Sequence, residues 1–390
     1  MNKTSSLITR RDFLVTSSIA GVAIGALARS SPVPQSRSLT DWEKPAANHP
    51  ARVIIDTDPG VDDAIALLLA MRSPELKIEG ITPVAGNVPL DLTLPNALRM
   101  VEVAGRTDIP VAAGAKEPLV RRLITAAYAH GENGLGGAVF PPPKIKPVAQ
   151  SAAELIREIV RRYPNEVTLI TIGPLTNIAT ALRADPDLAP IVRGLVMMGG
   201  TLSRGNITPS AEFNIYVDPE AARIVFQSGI PVTMVGLDVT RKTSLTEEHV
   251  RILEAHNNAI SQAAAKILRS ALEHMRMQGY TGGFNMHDSL AVSAFLDPSL
   301  LRFEEYYVDV ETTGELTAGE TVAYGPQPSQ ASGAASNSAS QPRVLGSAPT
   351  LSGATANAVL RDSFVPNARV ALDVNSSAFF DLLIGRLSGA

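Results

Sequence analysis

The 390-residue chain contains no cysteine, so disulfides, thiolate zinc sites and cysteine nucleophiles are excluded. Any metal it binds must be held by oxygen or imidazole. It also lacks a large excess of either charge. Its 34 Lys and Arg against 38 Asp and Glu leave a net charge of −4, which gives no electrostatic footprint for nucleic acid or an anionic membrane. What it does have is apolar content, 45% of residues, enough to bury a large core.

The N-terminal "TRRDFLVTSSIAGVAIGALARS" has an arginine pair, Arg10 and Arg11, then a weakly apolar stretch and Ala26-Leu27-Ala28 as a small-x-small cleavage signal. Its apolar run is shorter than the ~20 residues of a spanning helix. Residues 1–28 resemble a twin-arginine export signal, and this predicts a periplasmic or extracellular protein with no membrane attachment after cleavage. Residues 29–50, with four prolines and the only tryptophan, read as a linker to a mature domain over 51–390.

From Arg52 onward strand-like and helix-like segments alternate. "RVIID" precedes "DDAIALLLAM", "LKIEGITPVAG" precedes "LTLPNALRMVEVAG", "EVTLITIG" precedes "PLTNIATALRA", and "IPVTMVGLD" precedes the helical material of 246–278. Repeated β-α order predicts an α/β fold, with a mostly parallel central sheet and helices on both faces. Ligands of such sheets bind beyond the carboxyl ends of the strands.

That end carries the most unusual stretch, "DTDPGVDD", with four aspartates in eight positions. Asp56 and Asp58 are two apart on a strand and share a face, while Asp62 and Asp63 open the next helix. A helix N-terminus accounts for one of these acids as a cap. It does not account for several converging, because like charges held close raise one another's pKa unless a cation compensates. The cluster therefore predicts a divalent cation, and hard oxygen donors favour Ca²⁺ or Mg²⁺ over zinc. Other strand ends add polar groups: Asn87 in "VAGN", Thr176 and Asn177 in "GPLTN", Asn206, Glu212 and Asn214 in one long loop, and His287 with Asp288 before an apolar helix. Singly, Asn87 reads as a turn residue, Asp288 as an N-cap and His287 as a packed or surface histidine. Together they supply acids, amides and an imidazole to one rim.

"DTDPGVDDAIALLLA" resembles the signature of the inosine-uridine preferring nucleoside hydrolases, and "VAGN", "GPLTNIA", "MGG…N…AEFN" and "HD" follow in that family's order. The resemblance implies a single nucleoside hydrolase-like (Rossmann-like) domain, a bound Ca²⁺, and hydrolysis of the N-glycosidic bond of ribonucleosides. It makes Asp58, Asp63, Asp288 and the backbone carbonyl of Ile172 the metal ligands. Asp62, Asn87 and Asn214 hold the 2′- and 3′-hydroxyls, Asn206 and Glu212 the 5′-hydroxyl, and Met198 packs beneath the sugar. Asp56 is expected to orient its neighbours.

The chemistry needs these types. N-glycosidic cleavage passes through an oxocarbenium-like ribosyl cation, so the site must stabilise positive charge, activate water and let the base depart. Asp58 is the expected base toward water, and His287 the expected proton donor to the leaving nucleobase near neutral pH. His130 in "AHGENGLGG" is read either as a second donor or lid contact or as a solvated loop residue. Tyr280 either stacks on the nucleobase or is structural. The expected partner is a small-molecule ribonucleoside, with the protein a homo-oligomer, dimer or tetramer. A Ser/Ala/Gly/Pro-rich stretch at about 325–362 reads as a disordered surface insertion. Two other classes fit parts of the pattern: an exported non-catalytic nucleoside-binding protein, and a haloacid-dehalogenase-like phosphatase, which leaves "AEFN" and the His-Asp pair unexplained.

Overall fold

The computed structural model describes residues 44–325 and 364–389. The expected export signal at 1–28, residues 29–43 of the expected linker, and the expected low-complexity insertion from 326 lie outside the described residues. Residues 44–50 are not a free tether: Pro45 is buried, Lys44 pairs with Asp297 at 2.5 Å, and Ala46 bridges to His49.

Among the described residues ten strands run in chain order as β1 Ala51–Thr57, β2 Leu76–Pro83, β3 Val167–Thr171, β4 Gly194–Met198, β5 Val232–Val235, β6 Ser244–Leu245, β7 Phe284–Asn285, β8 Leu301–Val310, β9 Thr321–Tyr324 and β10 Ala368–Val374. Eight form one sheet in the order β2-β1-β3-β4-β5-β10-β8-β9. Pairing is parallel from β2 through β10 and antiparallel for β10–β8 and β8–β9. The expected mostly parallel sheet is present. The antiparallel end follows from β8 and β9, which are joined by a short connection and so can only return alongside each other.

The helices are α1 Val61–Met71, α2 Leu90–Val103, α3 Ala127–His130, α4 Ala152–Arg162, α5 Thr176–Ala184, α6 Phe213–Val217, α7 Pro219–Phe226, α8 Leu237–Thr240, α9 Glu247–Glu254, α10 Ala259–Met277, α11 His287–Leu296 and α12 Ser376–Ser388. The core has two halves. One joins α1, α2, α10, α11 and α12, and the other joins α4, α5 and α7, with strand side chains contributing to each. Every residue of α1 is buried, which explains an apolar sequence with no polar face. Among the described residues no helix is long and apolar enough to cross a membrane.

Sheet order positions the site. From β1 the chain moves outward to β2, then crosses back to β3 on the other side of β1. The crevice at such a reversal lies beyond the carboxyl end of β1. The four aspartates occupy that end.

Candidate active site

The turn from β1 into α1 is fixed by its own acids. Asp63 accepts from the Thr57 hydroxyl at 2.7 Å, from the backbone N–H of Asp58 at 3.1 Å and Gly60 at 3.0 Å, and from Asn87 Nδ2 at 2.9 Å. Asp63 is thus the acid that reaches back to cap α1. Asp56 accepts from Thr82 and Asn177 at 2.6 and 2.8 Å, and Asn177 in turn accepts from the N–H of Ala115. Burial, partly offset by Thr82 and Asn177, pushes Asp56 up to about 7. Asp58 accepts from the Asn87 N–H at 2.7 Å through Oδ2. Gly86 and Gly173 lie flat against its two oxygens, where a Cβ on either would collide with the carboxylate.

Three oxygens of this acid stretch are buried without a hydrogen bond: Oδ1 of Asp56, of Asp58 and of Asp62. Asp62, Asp63 and Asp288 each offer a carboxylate oxygen within 4.8 Å of the others. Burial first, then the neighbouring acids, raises Asp58 and Asp288 well above the usual carboxylate range; burial raises Asp62 and Asp63 too. Buried oxygens left open among mutually repelling carboxylates are what a divalent cation relieves, and the all-oxygen donor set fits one. Of the predicted ligand set, Asp63 and Asp288 are in the close group, but its third member is Asp62; Asp58 stands beside it with its open oxygen. Asp288 is not the α11 cap, because Met286 takes that position and Asp288 lies in the first turn.

The remaining predicted residues enclose a cavity of about 340 Å³ lined by Asp62, Asn87, Ile172, Met198, Asn206, Glu212, Asn214, His287 and Asp288 among others. Asn214 Nδ2 lies 3.4 Å from the Ile172 carbonyl, 3.3 Å from that of Met198 and 3.4 Å from the Met198 sulfur. Glu212 caps α6, accepting from the N–H groups of Asn214, Ile215 and Gly200 at 2.9 to 3.1 Å. Burial lifts it to about 6 against those bonds. Asn206 Oδ1 accepts from the Phe213 N–H at 2.9 Å, tying its loop to α6.

Two histidines line the same cavity: of the two readings of His130 the structure favours the pocket contact, while the expectation for His287 changes. His130 is no solvated loop residue: its Nδ1 accepts from the Val61 N–H at 3.1 Å and lies 3.8 Å from Asp62 Oδ1. Burial, then the nearby His287 and His274, lowers it to about 3. His287 Nδ1 is 2.7 Å from the Thr240 hydroxyl, and burial followed by Arg241 lowers its pKa to about 4. The expectation of a histidine carrying a transferable proton near neutrality is therefore corrected. It is a neutral imidazole at pH 7, able to donate a hydrogen bond. Tyr280 is 61% exposed at the rim, so it is not a core tyrosine.

Sequence reasoning missed Tyr128, Met275, Gln278 and Phe284 in the wall. Gln278 and His274 both meet the Tyr128 carbonyl, which joins the His130 segment to the end of α10. The signal available was adjacency: Tyr128 lies two residues before His130, and Gln278 two before Tyr280.

Residues 53–381 match the family described as inosine-uridine preferring nucleoside hydrolase. The chain belongs to this family. Over 272 residues this nucleoside hydrolase is 47% identical to the pyrimidine-specific ribonucleoside hydrolase RihA of Citrobacter koseri, covering 69% of this chain and 87% of that one. Among solved structures it is similar to the plant nucleoside hydrolase PpNRh1, with a TM-score of 0.75, 31% identity, and coverage of 87% of this chain and 100% of that one. It is also similar to a purine-preferring ribonucleoside hydrolase from Gardnerella vaginalis, with a TM-score of 0.74, 30% identity, and coverage of 87% and 98%. Family membership sets aside the phosphatase reading, and the ribonucleoside hydrolase class stands.

Proposed function

We propose that the protein hydrolyses pyrimidine ribonucleosides, adding water across the N-glycosidic bond to give ribose and the free base. The observation that carries the hydrolase chemistry is the convergence of the Asp62 and Asp288 carboxylates, amides and His287 on one cavity at the end of β1; Asp58 does not line it but lies buried next to this acid cluster with an unpartnered oxygen. The pyrimidine preference is supported by the relatives: identity is 47% to the pyrimidine-specific enzyme and 30% to the purine-preferring one.

In this reading Asp62, Asn87 and Asn214 grip the 2′- and 3′-hydroxyls, Asn206 and Glu212 the 5′-hydroxyl, and Met198 lies under the ring. Asp58, Asp63, Asp288 and the Ile172 carbonyl would hold Ca²⁺, which when bound supplies the positive charge that lets the acids coexist and orients the ribose diol. Asp58 takes the proton of the attacking water, and as the C–N bond breaks its electron pair leaves with the base. Neutral His287 donates a hydrogen bond from Nε2 to the departing base, whose final proton comes from solvent. His130 and Tyr280 complete the wall on the nucleobase side.

Base release measured for uridine, cytidine, inosine, adenosine and guanosine tests the proposal. The expected result is kcat/KM at least tenfold higher for the two pyrimidines, equivalent to about 1.4 kcal/mol. Equal or better purine turnover overturns the preference. His287→Ala is expected to slow uridine cleavage by ~10²-fold while sparing a nitrophenyl riboside, whose leaving group needs little assistance. Equal losses on both substrates remove His287 from leaving-group activation.

We further propose export through the arginine pair. Lysine at both Arg10 and Arg11 keeps the charge and is expected to strand the precursor in the cytoplasm. Normal export of that variant, followed by fractionation, contradicts it.

A further inference from the structure

His287 is held from a segment far away in sequence. Thr240 ends α8 and is completely buried, with its hydroxyl 2.7 Å from His287 Nδ1. The two residues are 47 apart, and the small antiparallel ladder between them sets their register. Ser244 pairs with Asn285, Leu245 with Phe284, and the Met286 N–H donates to the Thr243 carbonyl at 2.9 Å. Continued past the ladder, this register sets 243 against 286 and 242 against 287, and the tight turn in which the Thr243 N–H and hydroxyl both meet the Thr240 carbonyl brings the Thr240 hydroxyl back to the imidazole.

The donor and acceptor roles follow from what else the groups touch. The Thr240 backbone is already satisfied, its N–H by the Gly236 carbonyl and its carbonyl by the N–H and hydroxyl of Thr243. Among the described residues its hydroxyl meets no partner but His287. A buried hydroxyl proton must find an acceptor, and the imidazole nitrogen is the one at hand. Were Nδ1 protonated instead, two protons would compete for one short contact or the hydroxyl would be left without an acceptor. The tautomer of a neutral imidazole is set by the bond its other nitrogen makes.

We propose that Thr240 is a positioning residue: its hydroxyl donates to Nδ1 of His287, fixing the Nε2–H tautomer so that Nε2–H is the edge presented to the leaving nucleobase. The role of that edge rests on the hydrolase reading above, whereas the tautomer does not. The arrangement also explains why a threonine is used: the methyl packs in the buried turn while the hydroxyl stays aimed at the ring.

Two measurements on the full mature protein decide it. Nitrogen-15 NMR of the imidazoles, with His287 assigned by its disappearance in His287→Ala, is expected to show proton on Nε2 in the wild type and in Thr240→Ser. In Thr240→Val, which keeps the shape and loses the donor, the Nδ1–H form is expected to become populated. A wild-type His287 carrying its proton on Nδ1 overturns the proposal, and this arm needs no variant to fold. In the kinetic arm, Thr240→Val is expected to lower kcat for uridine by about tenfold or more, with KM little changed and nitrophenyl riboside cleavage retained. Thr240→Ser is expected to restore uridine turnover. If His287→Ala shows the leaving-group-dependent loss and Thr240→Val does not, Thr240 is not the positioning residue and the hydrolase reading survives. If the wild type frees base from neither substrate, the hydrolase reading fails and the NMR arm alone judges the tautomer.

Discussion

Asp58→Asn is expected to lower turnover of every nucleoside by ~10²–10⁴-fold, the range a lost general base commands. The substitution suits the question because it changes charge and little else. Oδ2 of Asp58 accepts from the Asn87 N–H, and an asparagine carbonyl oxygen can accept the same bond. The amide then occupies the place of Oδ1, which has no hydrogen bond to lose. Gly86 and Gly173 leave room for a group of this shape and no larger, so larger replacements confound packing with chemistry. A second effect has the opposite sign. After burial, Asp63 and Asp62 raise the pKa of Asp58, and Asp58 in turn raises that of Asp288, so removing its charge should make the cation-free variant melt higher than the cation-free wild type. Loss of activity accompanied by a rise in cation-free Tm separates a functional acid from a structural one. Retained turnover on uridine sinks the assignment.

The fold was legible because its strand ends announce themselves. Most of the parallel strands are short runs rich in Val, Ile or Thr followed by glycine or a polar turn, and β1 with its acid-rich exit is placed from sequence at the ligand-binding end of a sheet. Asp58, Asp62, Asp63 and Asn87 are legible for the same reason, since they follow strands closely, whereas Asn206, Glu212 and Asn214 lie further along the one long loop after β4. What escaped depends on pairings across long separations. The β6–β7 ladder has two residues per strand, too few for any periodicity. Thr240 has no local feature that marks it, since its partner lies in another segment. The acidity of His287 was misjudged because its ordinary pKa near 6.5 was assumed, whereas burial and Arg241 decide it. His130 was ambiguous for a related reason: nothing in "AHGENG" says that the Val61 N–H will claim its Nδ1. The third acid of the close group, Asp62 where Asp58 was expected, is a matter of side-chain direction within one turn, which spacing alone does not fix.

Removing the cation is expected to abolish turnover and to change how stability depends on pH. Burial, then Asp63, pushes Asp62 up to about 8, and Asp58, Asp63 and Asp288 are raised as well. The folded protein therefore keeps protons that the unfolded chain releases near the ordinary carboxylate pKa of about 4. Stability rises with pH only where the unfolded state binds more protons; here the native state binds more, so stability falls as pH rises from about 4 through about 8. His287 and His130, lowered to about 4 and about 3, act in the reverse sense, costing stability as pH falls below about 6.5. Above pH ~7 the histidines are neutral in both states, and the remaining downward slope belongs to the carboxylates. A cation that binds only the folded, ionised cluster should cancel that slope and add about 2.7 kcal/mol at a hundredfold excess over its Kd. Chelated protein, confirmed metal-free by elemental analysis, should thus lose Tm steadily between pH 7 and 8.5, and Ca²⁺ should restore both Tm and uridine cleavage. Unchanged turnover in the metal-free protein, or identical Tm profiles with and without Ca²⁺, would show that the acids coexist by some other means and that the cluster is not a cation site.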